Sequence, residues 1–522
     1  MGFKPNPLTV VDSYKFSHRK SYIPGTQSAY ANLTPRSVKH LNLGYIPSSI
    51  KDQSITWLGG QAAVKDLVEL WDEEFFQKDI EQIISTFVHR VTPFTGPDYA
   101  VDHIRKLHAL GYLPLRIKTL PEGSRVPVGV PVLTTRSTQG DDFAWLTNYI
   151  ESALSAEIWG MSTSATTAYY LRKVIEHYAE RTGGSKEFID FQGHDFSLRG
   201  QMGIIAAARS GIGHLLYFKG TDTVTAVEYA AYHYSGDETF MGASVPATEH
   251  SVQCSYRDDY QYFKHLVTEV YPTGIVSLVS DGYDYWNVLT SVIPSLKEEI
   301  MSRQVDGLGF AKVVVRPDSG TPEHIIAGYE PHEVEWSPAD NCYYLLGAEP
   351  RVRLSDAEVK GSVQVLWETF GGTENGEGFR TLDSHIGLIY GDSITISRAN
   401  EILSRLARKG FASDNIVLGI GSMSYQYVTR DTLGFAIKAT YIEVNGQGIE
   451  LFKDPVTDTD KTKKSAKGLL KVERNEDGVF VLKDQVSEEE EATGELTVLF
   501  EDGKFLKHQK FAEIREVAKS YF

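Results

Sequence analysis

The chain has 522 residues, of which 41% are hydrophobic and 23% charged, and carries a formal net charge of −17. That length exceeds one ordinary core and calls for two domains or a barrel with a large appendage, while the composition is that of a soluble globular protein. The acidic balance excludes general nucleic-acid binding, which needs a basic face, although a local basic pocket can still hold a polyanion.

Cys254 and Cys342 are too few for a disulfide framework or a cysteine-built metal site. The most apolar region, 203–218, carries Arg209 and His214, so no membrane span is expected. The opening Met-Gly-Phe-Lys-Pro-Asn lacks the apolar core of a signal peptide, and Asn6 breaks the myristoylation pattern. A cytoplasmic protein is expected.

In chain order, helical spacing covers 61–76, 82–89 and 99–110, and short strands follow at 115–119 and 132–135. Residues 145–158 place Leu146, Ile150, Leu154 and Ile158 on one helical face. From about 160 to 425, apolar runs without strict alternation, such as 274–279 and 311–315, read as buried parallel strands alternating with helices. Beyond them a strand over 435–444 ends in Asn445-Gly446, a strong turn signal. A Lys- and Asp-rich loop at 453–467 and short strands within 468–482 and 496–505 complete a β-rich tail. The acidic run 488–491 reads as a solvated turn.

The expected fold class is α/β: an irregular α/β barrel over 159–430, flanked by an α+β, β-rich domain built from 1–158 together with 431–522. Residues 323–384 are too long for one β-to-α connection and read as a surface excursion with strands of its own. Within it, 371–378 reads as a mobile loop. There is no internal repeat.

Polar clusters close the apolar runs: Gly-His-Asp-Phe-Ser-Leu-Arg-Gly at 193–200, Phe-Lys-Gly-Thr-Asp-Thr at 218–223 and Ser-Val-Pro-Ala-Thr-Glu-His at 244–250. Further along stand Val-Ser-Asp-Gly-Tyr-Asp at 279–284, Val-Val-Arg-Pro-Asp-Ser-Gly at 314–320, Tyr-Gly-Asp-Ser at 390–393 and Gly-Ile-Gly-Ser at 419–422. In an α/β barrel, functional side chains sit at the carboxyl ends of the strands, so this recurrence points to an enzyme. The cations Arg199, Lys219, His250, Arg316 and Arg430 alternate with the carboxylates Asp222, Asp281, Asp318 and Asp392. That mixture suits a phosphorylated sugar: cations neutralise phosphate, while carboxylates accept sugar hydroxyls or hold Mg²⁺. Gly419, Gly421 and Ser422 would let backbone N–H groups approach a phosphate.

Taken in order, these clusters resemble the nicotinamide phosphoribosyltransferases, of the type II phosphoribosyltransferase group. The match begins at Val-Asp-Ser-Tyr-Lys (11–15), recurs at Trp-Leu-Thr-Asn (145–148), and continues through Val-Thr-Arg-Asp (428–431) to Phe-Lys-Asp-Pro-Val (452–456), leaving 323–384 outside it. The resemblance implies transfer of the phosphoribosyl group from phosphoribosyl pyrophosphate to nicotinamide, with Mg²⁺ held mainly by the pyrophosphate. It also implies a homodimer with shared active sites, and ATP hydrolysis coupled through phospho-His250.

By the same resemblance, Phe196 and the partner's Tyr14 would sandwich the pyridine ring, a stacking worth roughly 0.5–1.5 kcal/mol beyond area burial. Asp222 would accept the amide of nicotinamide and reject nicotinate by charge repulsion. Arg199, His250 and Arg316 would contact pyrophosphate; Asp318, Gly391 and Asp392 the ribose hydroxyls; Gly421, Ser422 and Arg430 the 5′-phosphate. Ser244 and Ser277 join the substrate-binding set. Glu249 and Asp281 would orient His250, and Arg36, Lys438, Lys453, Asp458 and Lys461 would line the nucleotide and phosphate side. The chain departs from the family at 421–423, where Gly-Ser-Met replaces a glycine-richer loop. Read without the resemblance, Phe196 fits ordinary core, His250 a satisfied core histidine and Lys461 a solvated loop. The rival activities are nicotinate phosphoribosyl transfer and a non-catalytic sensor of phosphoribosyl ligands.

Overall fold

The computed structural model describes residues 3–235, 240–391, 393–453 and 465–522. Six parallel strands form its central sheet: Gly193–Asp195 (β1), Gly220–Thr221 (β2), Val276–Val279 (β3), Val313–Arg316 (β4), Ile386–Tyr390 (β5) and Val417–Ile420 (β6). Their order is β2-β1-β6-β5-β4-β3. Strands β3 and β5 are buried along their whole length, as parallel strands covered on both faces must be.

The two edges of this sheet are not left open. Gly220 of β2 bridges Ala243, and Ser277 of β3 bridges Ala247, both in the parallel sense. The Ala243 amide donates to Lys219 O at 2.7 Å, and the Ser277 amide to Pro246 O at 2.8 Å. Residues 243–247 therefore act as a seventh stave held by single bridges; Pro246 has no amide hydrogen to extend the ladder. The sheet curls into the expected irregular barrel, in which each stave lies beside its neighbours along the chain.

Helix Glu151–Thr182 is far longer than the 145–158 segment expected, and the expected division after residue 158 falls inside it. Its middle, Met161–Leu171, is buried all round and built largely of Ser, Thr and Ala, so it carries no amphipathic stripe to read. Those small residues let helix Ile204–Leu215 approach closely: a Cβ on Gly213 would lie 2.1 Å from Ser164 Oγ.

A second, antiparallel sheet runs Gln447–Glu450, Ala436–Val444, Thr26–Thr34, Leu133–Ser137, Leu115–Thr119, Thr497–Glu501, Lys504–Phe505. Thr26–Thr34 pairs with Ala436–Val444 on one side and Leu133–Ser137 on the other, so both ends of the chain share one sheet. Asn445 and Gly446 form the expected hairpin turn, with φ of 50° and 75°.

The 323–384 excursion lies in the crossover from β4 to β5. It contains a three-stranded sheet of Val334–Ser337, Cys342–Leu345 and Arg353–Leu354, followed by helices Asp356–Lys360 and Ser362–Phe370. Arg405 of helix Ile396–Arg408 fastens it, donating to both Glu333 oxygens at 2.7 Å.

Two local expectations are corrected. The 371–378 segment, expected as a mobile loop, belongs to a hairpin of Gly372–Glu374 with Arg380–Leu382, pinned by Asn375 Nδ2 donating to Thr182 O at 2.7 Å. The acidic run 488–491, expected as a solvated turn, is a short helix. Its Glu491 is buried against Lys118 at 2.8 Å, and Glu488 pairs with Arg136 at 2.6 Å. Lys118 is buried within a strand, and an uncompensated buried charge is costly, which selects the acidic partner. Among the described residues, no helix is long and apolar enough to cross a membrane.

Candidate functional site

Because the barrel strands are parallel, their carboxyl ends gather at one rim. Phe196 follows β1, Asp222 follows β2, and Ser244 to His250 lie on and after the seventh stave. Asp281 follows β3, Arg316 closes β4 with Asp318 just beyond, Gly391 follows β5, and Gly421 with Ser422 follows β6.

On one side of the rim, His194 Nε2 donates to Asp222 Oδ1 at 2.9 Å, and Ser244 Oγ donates to the same oxygen at 2.5 Å. Burial pushes the Asp222 carboxyl up, but these hydrogen bonds and the charges of His194 and Arg316 outweigh it and hold the group below its ordinary value. Asp222 is therefore a carboxylate at neutral pH. The half-buried Phe196 ring lies 4.5 Å from the His194 ring at a 32° tilt. Beneath them, His214 is held between the Tyr425 hydroxyl at 2.7 Å and Gly220 O at 2.8 Å, and burial pushes it down to about 4.

On the other side, His250 Nε2 donates to Asp281 Oδ1 at 2.9 Å, while the Asp318 amide donates to Asp281 Oδ2 at 2.9 Å. The Asp281 side chain is 3% exposed and that of His250 is 47% exposed, so a buried carboxylate presents an accessible imidazole. Burial pushes the Asp281 carboxyl up; bonds from Ser319, the Asp318 amide and His250 outweigh it and hold the group low. The Glu249 carboxylate, expected to share in orienting His250, accepts from the Ser251 hydroxyl. Arg316 donates through Nη2 to Thr248 O, whereas among the described residues its Nε and Ser277 Oγ are buried without a hydrogen-bond partner. Orphaned polar atoms of this kind mark a place where a ligand group can dock. Gly391 leaves room for the Asp318 carboxylate, since a Cβ there would lie 2.6 Å from Asp318 Oδ1 and push it aside.

Gly421 caps the four-residue helix Ser422–Tyr425. Ser422 packs against Gly200, where a Cβ would come 2.2 Å from Ser422 Oγ, so the turn Leu198–Gly200 that carries the exposed Arg199 abuts this loop. Arg430 is exposed and pairs with Asp431 at 3.3 Å.

A second cluster is cationic. Lys438 is held below its ordinary value by burial; Glu151 opposes the shift, while the charges of Arg36, Lys453 and Arg430 reinforce it. Lys438 and Glu151 line a cavity of about 320 Å³ together with Lys15, His18, Tyr22 and Asn148. Tyr14 stands 59% exposed with its ring on His18, and no hydrogen bond or ring contact among the described residues joins it to Phe196. Asp392, Asp458 and Lys461 lie outside the described residues. Among those described, no group of three or more His, Cys, Asp or Glu could hold a metal ion. His194 was legible in the 193–200 cluster but had no role there, because nothing in sequence brings it to Asp222, which lies on the next strand.

Residues 191–503 match the Nicotinate phosphoribosyltransferase (NAPRTase) family. The chain is 48% identical over 520 residues to the nicotinamide phosphoribosyltransferase of Acinetobacter baylyi, covering 99% of this chain and 97% of that protein. It is 31% identical over 483 residues to the protein of the same name from Mycoplasma pneumoniae, covering 87% and 93% respectively. The crystal structure of nicotinate-nucleotide pyrophosphorylase from Pyrococcus furiosus shares the fold, with a TM-score of 0.57 at 14% identity, covering 100% of this chain and 96% of that one.

Proposed function

Since the chain belongs to the nicotinate phosphoribosyltransferase (NAPRTase) family, we propose that it transfers the 5-phosphoribosyl group of phosphoribosyl pyrophosphate to nicotinamide, giving nicotinamide mononucleotide and pyrophosphate. The observation that carries the choice of base is the Asp222 carboxylate, held by the same His194 whose ring lies on Phe196. A carboxylate accepts an N–H group of an amide but repels nicotinate; two like charges about 4 Å apart cost on the order of 4 kcal/mol at an effective dielectric near 20. Nicotinate transfer, the rival within the family, meets that penalty.

The pyridine nitrogen attacks C1 of the ribose while pyrophosphate leaves, through a transition state with oxocarbenium character. The ring nitrogen carries no proton, so no general base is needed, and the work falls to positioning and charge stabilisation. Phe196 and the partner's Tyr14 stack the base. Asp318 and Gly391, with Asp392, hold the ribose. Arg199 and Arg316 neutralise the pyrophosphate, and the Gly421–Ser422 loop with Arg430 receives the 5′-phosphate. Magnesium, when bound, stabilises the departing charge; with Asp281 already committed to His250 and the Asp318 amide, pyrophosphate oxygens would supply most of its ligands. The exposed His250 on a buried carboxylate suits a phosphoryl acceptor: Asp281 occupies Nε2, leaving Nδ1 to take a phosphoryl group from ATP. The cations Arg36, Lys438 and Lys453 would attract the nucleotide phosphates.

The test is product formation from phosphoribosyl pyrophosphate and Mg²⁺ with nicotinamide or nicotinate, each with and without ATP. Nicotinamide mononucleotide as the main product, increased by ATP with acid-labile phosphate on His250, is expected. Product mainly from nicotinate overturns the reading of Asp222; an ATP response that survives His250→Ala overturns the coupling.

A further inference from the structure

Asp222 has two oxygens, and the structure treats them differently. Among the described residues, both side-chain donors that reach the group, His194 Nε2 at 2.9 Å and Ser244 Oγ at 2.5 Å, converge on Oδ1. The two donors come from opposite sides of β2, one from β1 and the other from the seventh stave. His194 is itself fixed. Its ring lies on Phe196 at 4.5 Å, and it occupies space that any side chain on Gly220 would take, since a Cβ there would meet His194 Nδ1 at 2.8 Å. One histidine thus touches both the wall on which the base would stack and the carboxylate that would read its amide.

We infer that His194 is a specificity-determining positioning residue: with Ser244 it saturates Asp222 Oδ1 and so aims Oδ2 at the exocyclic group of the base, where it accepts an amide N–H and repels a nicotinate carboxylate. This rests on the transfer to nicotinamide proposed above. Ser244 assists from the other flank but is exposed, whereas His194 is buried and cannot be replaced by water without repacking Phe196. A carboxyl group that gained a proton would lose its repulsion and could donate to the nicotinate carboxylate, so discrimination depends on keeping Asp222 ionised.

The charged and titratable groups around the pair define the pH dependence. Asp222 is faced by His194 from β1, Ser244 from the seventh stave and Arg316 from β4. On helix Ile204–Leu215, His214 feels the charges of both His194 and Asp195 and is neutral above about 4. The Asp222 carboxyl is depressed, so its charge is present above its folded value and is lost as pH falls through that value. Burial acts in the opposite direction and is the largest influence on it. Removing His194 leaves burial less opposed and moves the loss of charge to higher pH.

The experiment is equilibrium binding of nicotinamide and of nicotinate to the full chain, by calorimetry between pH 5 and 8, for the wild type, His194→Leu and His194→Gln. The expected wild-type result is a preference for nicotinamide across the range. His194→Leu should lose tenfold or more of that preference, with the loss setting in at higher pH, while His194→Gln, which restores an N–H donor at the same reach, should recover most of it. A leucine variant with the wild-type ratio and pH profile overturns the inference alone. A wild type that prefers nicotinate overturns both the inference and the assigned base. Should the leucine variant fail to fold, His194→Asn, whose amide stops short of Oδ1, decides when paired with Asp222→Asn. The change at His194 must alter the base ratio in the native background and leave it unaltered once Asp222→Asn is present, and an equal change in both backgrounds refutes action through Asp222.

Discussion

Gly391→Ala tests the ribose site with a single methyl group. The three atoms nearest the new Cβ all belong to the Asp318 side chain, with Oδ1 at 2.6 Å and Cγ at 3.2 Å. Ordinary contact begins near 3.4 Å, so the carboxylate must retreat by about 0.8 Å. The backbone at Gly391 is outside the left-handed region, so alanine brings no backbone strain and its melting temperature should match or slightly exceed the wild type. A displacement near 1 Å of a positioning group can cost on the order of 100-fold, or about 2.7 kcal/mol of transition-state stabilisation. Steady-state rates with phosphoribosyl pyrophosphate varied at saturating nicotinamide should show that loss in kcat/KM. Unchanged kcat/KM would refute the assignment of Asp318 to the ribose; a loss that tracks a lowered melting temperature would refute the steric argument.

The proposed sharing of active sites predicts complementation. Phe196→Ala and Tyr14→Ala proteins, each inactive alone, should regain about a quarter of wild-type activity when mixed and re-equilibrated, because a mixed two-fold dimer restores one of its two sites; no recovery, with mixed dimers verified by native mass spectrometry of one isotope-labelled variant, removes the partner role of Tyr14. The Glu333 carboxyl is pulled down to about 2, chiefly by its hydrogen bonds from Arg405. Its contribution is complete above the unfolded value near 4.5 and is lost as pH falls towards 2, so Arg405→Leu should flatten the melting temperature across that window, and an unaltered slope contradicts the linkage. Lys118→Met leaves buried Glu491 unpaired and should destabilise by about 3–5 kcal/mol in urea, with Lys118→Met/Glu491→Leu regaining most of it. Equal losses in the single and double variants would show that the pair itself is not responsible.

The apolar runs of the barrel, closed by Arg, Asp, His and Gly, were readable from residue type alone, because a strand buried on both faces must be continuously apolar and its polar end must serve something else. The same local chemistry placed the Asn445-Gly446 turn and marked Asp222, His250, Asp281 and Arg316 as candidates. Residues whose surroundings come from other strands were not readable. Helix Glu151–Thr182 is buried on all sides and shows no stripe, and the acidic run 488–491 looks solvated until Lys118 arrives from a strand some 370 residues earlier. His194 acquires its role only when β1 and β2 lie side by side, which puts its Nε2 against Asp222. The sequence by itself determined which side chains stand at strand ends, since that depends on nearest neighbours along the chain. Only the tertiary structure decided which of them share a hydrogen bond and which oxygen of Asp222 is left to read the base, because those depend on the register between strands distant in sequence.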